Sequence, residues 1–119
     1  MATLTTNLTI ESTNAMTDTL SIVLSDSLSV TDPAEIAKVT ATTSDTPVLI
    51  AATDSSTYYV YIKNTDGSNF VSVKDEGGNI FMKLHAGEFA FFTLSPSEGL
   101  KLDADTDSCI VEYGLFKKA

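Results

Sequence analysis

The chain has 119 residues, 43% of them hydrophobic, and a formal net charge of −9 from 16 acidic and 7 basic residues. This length suits one domain, and the acidic balance argues against binding to a nucleic-acid backbone or an anionic membrane surface. The single cysteine, Cys109, excludes an internal disulfide, which fits a reducing compartment.

The N-terminal segment is rich in Thr and Ser and poor in aromatic residues. Leu4, Leu8 and Ile10 lie among threonines, and Leu8 and Ile10 alternate with polar residues. This spacing predicts an edge strand or an extended arm over residues 1–18.

The next part of the chain contains short β-prone runs. Residues 20–25 alternate in character and predict a half-buried strand, and Asp26-Ser27 predicts a turn. Asp32-Pro33 predicts a turn or one short helical turn with Asp32 as its cap. Residues 38–43 and 48–52 predict two more strands.

The stretch from Ser56 to Phe116 consists of β-branched and aromatic runs separated by clusters of Gly, Asp, Asn and Pro. The runs predict strands at 57–63, 70–74, 80–84, 89–94, 100–102 and 109–116. Short strands at such regular spacing are typical of all-β folds. We therefore predict a single antiparallel β-sandwich over residues 19–119, either jelly-roll-like or Ig-like.

Alternation along these strands predicts which side chains face the core. It assigns Tyr58, Val60 and Ile62 to the core, whereas Tyr59 and Tyr61 face the other way. Several strands carry apolar residues on both faces, which in an isolated monomer leaves an exposed apolar patch. The pattern predicts either end strands covered by loops or an oligomeric or docking surface.

The sequence contains no catalytic motif, and we expect no catalytic, cofactor-binding or metal site. Asp103, Asp105 and Asp107 resemble the opening of a calcium loop, but Ser108 and Gly114 stand where that loop needs Gly and Glu. We therefore predict a solvated acidic turn.

His85 and Cys109 are the other residues with chemical potential. A zinc site needs several His or Cys ligands, and the chain has one of each. A cysteine nucleophile needs a nearby base and an electropositive setting. We predict a turn role for His85 and a core role for Cys109, and we do not expect an enzyme.

Three motifs carry a resemblance to a known class of proteins. Tyr59-Val-Tyr-Ile-Lys-Asn64 with the Gly-bearing turn after it, Leu84-His-Ala-Gly-Glu88-Phe89-Ala-Phe-Phe-Thr-Leu94, and Leu100 through Val111-Glu-Tyr113 resemble strands and turns of small virion proteins of tailed bacteriophages, especially marine ones. The resemblance covers the second half of the chain. It implies a small β-sandwich of a capsid decoration or cement protein, or of a small head–tail component, and it brings no catalytic residues.

The leading hypothesis is a capsid decoration protein that bridges subunits of the major capsid protein and forms a homo-oligomer, with a trimer favoured. Its interface is predicted to include Leu4, Leu8, Ile10, Tyr59 and Tyr61. The alternatives are a tail, neck or fibre-adaptor component, or a carbohydrate- or receptor-binding module.

The predicted location is the virion, after synthesis in the bacterial cytoplasm. The first residues show no signal-peptide pattern, and no apolar run approaches the ~20 residues of a membrane helix. We expect protein partners and no cofactor, nucleic acid or membrane.

Overall fold

The computed structural model describes residues 2–31 and 36–119, which form ten β-strands and no helix. The strands are β1 (Ala2–Ser12), β2 (Leu20–Val30), β3 (Ile36–Ala41), β4 (Val48–Ile50), β5 (Tyr58–Asn64), β6 (Val71–Lys74), β7 (Ile80–Leu84), β8 (Phe89–Leu94), β9 (Leu100–Ala104) and β10 (Cys109–Lys117). Every strand pair is antiparallel. The predicted all-β antiparallel fold is confirmed. The turn predicted at Asp32-Pro33 lies outside the described residues.

The six strands predicted between Ser56 and Phe116 are present as β5 to β10. Their β-branched and aromatic residues pack well on a pleated surface. Glycines end several of them because the turns need a left-handed backbone, as at Gly87, whose φ is 80°. The local pattern therefore predicted these strands, with limits that differ from the structure by at most two residues.

The chain contacts divide the protein into two compact units, residues 1–32 with Ala119 and residues 33–118. The predicted boundary at residue 18 falls inside the first unit. The reason is that β2, which the sequence pattern places in the sandwich, pairs with β1 along its whole length.

The second unit is a sandwich of two four-stranded sheets. Sheet I has the strand order β3-β10-β5-β8, and sheet II has the order β4-β9-β6-β7. Side chains from both sheets form one core. Its fully buried members include Val60, Ile62, Val71, Val73, Leu100, Leu102, Cys109 and Val111.

A buried asparagine joins two turns at one end of this sandwich. Asn64 is fully buried, and its Nδ2 donates hydrogen bonds of 2.9 Å to the carbonyl oxygens of Asn69 and Leu84. Its Oδ1 accepts a 2.9 Å bond from the backbone N–H of Asp66, and its own N–H donates to the carbonyl of Glu88. Every polar atom of this side chain is therefore used within the fold.

Candidate functional site

The first unit is a two-stranded ribbon whose strands pair in full register. Three aliphatic pairs lie directly across from one another: Leu4 with Leu28, Leu8 with Leu24, and Ile10 with Ile22. Residues that pair directly in an antiparallel ladder lie on the same face. The six side chains therefore form one apolar surface, which we call the ribbon face. The other face carries mainly Thr, Ser and Asn.

The ribbon face is substantially open to solvent. Leu8, Ile10, Ile22 and Leu24 are between 38% and 58% exposed. A two-stranded hairpin is only marginally stable by itself in water. A row of exposed aliphatic side chains is typical of a surface that binds a partner. Leu4, Leu8 and Ile10, predicted as interface residues, are brought together here.

Two expectations for β2 are wrong. Ile22 and Leu24 are exposed and not half-buried, because the ribbon has no second layer within its own unit. Asp26-Ser27 is not a turn, because Asp26 pairs with Thr6 in the middle of an unbroken ladder. Eleven consecutive paired positions override a local turn signal.

The ribbon carries negative charge alone. Residues 2–31 include Glu11, Asp18 and Asp26 but no Lys or Arg. Asp26 lies on the ribbon face, next to Leu24 and Leu28 in the same alternation. A complementary partner would be apolar with a basic group near the centre.

The second exposed apolar surface is the outer side of sheet I, which faces away from the core. We call it the aromatic face. Its apolar members are Ile36, Tyr59, Tyr61, Phe89, Phe91, Ile110 and Phe116. Ile36, Phe89, Phe91 and Ile110 are between 41% and 64% exposed. They alternate along their strands with residues that face the core.

Tyr59 and Tyr61 form the floor of the aromatic face. Tyr59 is only 8% exposed and stacks on Phe91, with ring centroids 6.4 Å apart. The Tyr61 hydroxyl donates a 2.7 Å hydrogen bond to Oε1 of Glu112, and this bond is the main cause of the raised pKa of Tyr61. The groups that a partner would meet first are therefore the phenylalanines and isoleucines.

Gly114 shapes the centre of the same face. A Cβ at this position would lie 2.6 Å from Cδ1 of Ile36 and 3.0 Å from the ring of Phe116. The absence of a side chain lets both residues close over β10. Sequence reasoning missed this role, because it depends on a residue from another strand.

The residues considered for chemistry have structural partners. Cys109 is fully buried, and burial raises the pKa of its thiol. The Nδ1 atom of His85 lies 3.1 Å from Oε1 of Glu88 within one exposed turn. Asp103 lies 3.1 Å from the ammonium group of Lys74. Over residues 2–31 and 36–119, no group of three or more His, Cys, Asp or Glu side chains could hold a metal ion.

A small open cleft lies at the edge of the sandwich. It has a volume of about 230 Å³, and Phe81, Phe92 and Glu98 are among the residues that line it. Ligand pockets usually enclose about 300–1,000 Å³. A second depression, of about 520 Å³, is lined by Lys83, Leu84, Gly87, Glu88 and Phe89 and is wide open to solvent. Neither depression is closed enough to surround a ligand, so we place the candidate function on the two apolar surfaces.

No described segment forms a helix long and apolar enough to cross a membrane. Comparison with protein-family models, with curated proteins and with solved structures finds no match to this chain.

Proposed function

We propose that the protein is a structural component of tailed-bacteriophage particles, a capsid decoration protein that binds the major capsid protein and bridges its subunits. The observation that carries the proposal is the ribbon face, a row of in-register aliphatic pairs left open to solvent. Such a surface can lie in an apolar groove of a partner, and the outer edges of the same ribbon can extend a partner's sheet.

The strand order of the sandwich supports the jelly-roll alternative over the Ig-like one. The strands β3 to β10 form two four-stranded sheets, and six of the seven connections between them cross from one sheet to the other, the exception being the β6–β7 hairpin within sheet II. Eight-stranded double sheets of this kind occur in viral capsid domains and in lectins. A fold by itself does not assign a function, so the ribbon face carries the proposal.

The motifs that resemble phage proteins form one structural unit. Asn64 ends the strand of the first motif, and its side chain binds the backbone of Leu84 at the start of the second. Its backbone N–H donates to the carbonyl of Glu88 in the same second motif. The resemblance therefore covers a connected part of the sandwich and not scattered strands.

Charge defines the capsid surface that would accept the ribbon. Because residues 2–31 lack basic groups and Asp26 lies on the ribbon face, the partner surface should be apolar with a Lys or Arg opposite Asp26. Binding of many copies to a repeating shell would add avidity to a modest single contact.

The test is co-sedimentation with capsids assembled from the cognate major capsid protein. Leu24→Asp places a charge on the ribbon face, and we expect it to weaken binding at least ~30-fold, about 2 kcal/mol. Val23→Asp is the matched control, since Val23 is the neighbouring residue, lies on the opposite face and is 69% exposed. Equal binding by both variants would remove the ribbon face from the mechanism.

The same experiment distinguishes the shell from other locations. A decoration protein should saturate the particle in proportion to the number of capsid subunits. Binding confined to a few copies per particle would favour a tail, neck or fibre-adaptor component. A glycan array measures the carbohydrate alternative, which the burial of Tyr59 and the engaged hydroxyl of Tyr61 weaken.

A further inference from the structure

The aromatic face has no cover within its own unit. Four of its side chains are strongly exposed, and Phe89 reaches 64%. All four are Ile or Phe and lack a polar group that could orient a small ligand. This favours a broad apolar partner over a sugar or nucleotide.

The net charge of this face is opposite in sign to that of the rest of the chain. Its charged residues are Lys38, Lys63 and Glu112, which sum to +1, whereas the whole chain carries −9. The remainder of the protein therefore carries −10. Two copies would repel each other through most of their surface and least through this face.

Three charged residues form a row across the face, and a two-fold axis along the strands would bring Lys63 and Glu112 together and set Lys38 over Phe89. Glu112 on β10 pairs with Lys38 on β3 and with Lys63 on β5, so the signs alternate across the sheet. A two-fold axis parallel to the strands and midway between β10 and β5 would set the β10 of one copy over the β5 of the other. Lys63 of each copy then meets Glu112 of the other, as an isologous contact requires.

The apolar residues agree with the same axis. The next row across the sheet contains Ile36 on β3, Gly114 on β10, Tyr61 on β5 and Phe91 on β8. Rotation about the axis places Phe91 of one copy over Ile36 of the other. It also places Tyr61 of one copy over Gly114 of the other. At Gly114 the missing side chain leaves room for Ile36 and Phe116. Apolar groups meet apolar groups along the whole row.

We propose that the aromatic face binds the same face of a second copy of this chain, with Lys63 of one copy opposite Glu112 of the other. The contact closes at two copies, so it gives a dimer where the sequence led us to favour a trimer. The proposal is independent of capsid binding, which uses the other unit.

The size of the face sets the expected affinity. Four strands about 4.8 Å apart and about five residues long present roughly 350 Å² in projection. Two such faces give a total of roughly 700 Å² in projection, below the ~1,200–2,000 Å² of stable interfaces and in the range of weak, transient contacts. We therefore expect reversible association with a Kd of roughly 10–100 μM.

Analytical ultracentrifugation over a concentration series tests the dimer. The wild-type protein should shift from one to two copies, and Phe89→Ser should raise Kd at least tenfold. Ile80→Ser is the matched control, because Ile80 is 51% exposed on β7 of sheet II, and it should leave Kd unchanged. A wild-type monomer at millimolar concentration, a trimer, or loss of association in Ile80→Ser alone would overturn the proposal.

Charge reversal tests the orientation. Lys63→Glu and Glu112→Lys should each fail to dimerise, since like charges then face each other. An equimolar mixture of the two variants should form heterodimers, because each copy supplies the charge that the other needs. Tyrosine fluorescence confirms that both are folded. A mixture that stays monomeric while the wild type dimerises would reject the two-fold arrangement.

Discussion

Removal of the Asn64 side chain should strongly destabilise the sandwich. Asn64→Ala deletes three hydrogen bonds of 2.9 Å at a fully buried position. Each net bond contributes about 1 kcal/mol, and buried partners left unsatisfied cost a further ~1–3 kcal/mol each. We expect a loss of about 3–5 kcal/mol, a large part of the 5–15 kcal/mol typical of a domain.

Urea unfolding followed by tyrosine fluorescence measures this loss. All four tyrosines lie between Tyr58 and Tyr113, so the signal reports on the sandwich alone. With an m-value of about 1.5 kcal/mol/M, the midpoint should fall by about 2–3 M. Asn79→Ala removes an exposed asparagine whose side chain bonds only to Asp75, and it should cost at most about 1 kcal/mol. Similar midpoints for the two variants would refute the role assigned to Asn64.

Three further predictions concern the sandwich. Gly99→Ala should lower the free energy of unfolding by about 2–4 kcal/mol in urea unfolding, because φ is 76° and a Cβ would lie 2.7 Å from the Cβ of Glu76. Gly87 has a φ of 80° and open space around it, so Gly87→Ala should cost only the strain of a left-handed backbone. Equal losses in the two variants would contradict a steric clash at Gly99. Hydrogen bonds from the backbone N–H groups of Asn69 and Ser68 lower the pKa of Asp66, so its stabilising contribution is complete above pH ~4–5 and is lost as pH falls through the folded pKa. The stability difference between wild type and Asp66→Asn should therefore be constant from pH 5 to 8 and shift against the wild type below pH 4, and a pH-independent difference would be inconsistent with this. Cys109 should react with a thiol reagent at pH 8 far more slowly in the folded protein than in urea, because it is buried and its thiol pKa is raised.

The strands of the sandwich could be predicted because their signals are local. The alternation of Val60 and Ile62 with Tyr59 and Tyr61 indicated the core face of β5, and Val60 and Ile62 are indeed fully buried. Tyr58, assigned to the same face, is only partly buried, since its hydroxyl donates a hydrogen bond to Asp54 near the sandwich edge.

Features that depend on contacts between distant strands could not be predicted. Tyr59 faces away from the core and is nevertheless buried, with only 8% of its surface exposed, because Phe91 and Phe116 on neighbouring strands flank it. The pairing of β1 with β2 was also missed, since the Asp26-Ser27 turn signal concealed the length of β2. The hydrophobic spacing of both strands, compared in antiparallel register, could have indicated it.

The Asn64 contacts show what a sequence pattern can conceal. An asparagine at the end of a strand indicates a turn. The burial of Asn64 depends on the turns at 64–69 and 85–88, which meet in space. The five predicted interface residues were likewise distributed over two separate units, three on the ribbon face and two on the aromatic face.

The ribbon also creates an aggregation hazard. Within the described part of the chain, β1 and β2 have each other as ladder partners, so each carries an outer row of backbone groups that another molecule can extend. Residues 2–31 contain neither proline nor lysine, the residues that most often block such growth. Repulsion among carboxylates such as Glu11 and Asp26 is then the main barrier to stacking into fibrils. Concentrated protein should therefore aggregate faster at high ionic strength, where salt screens that repulsion.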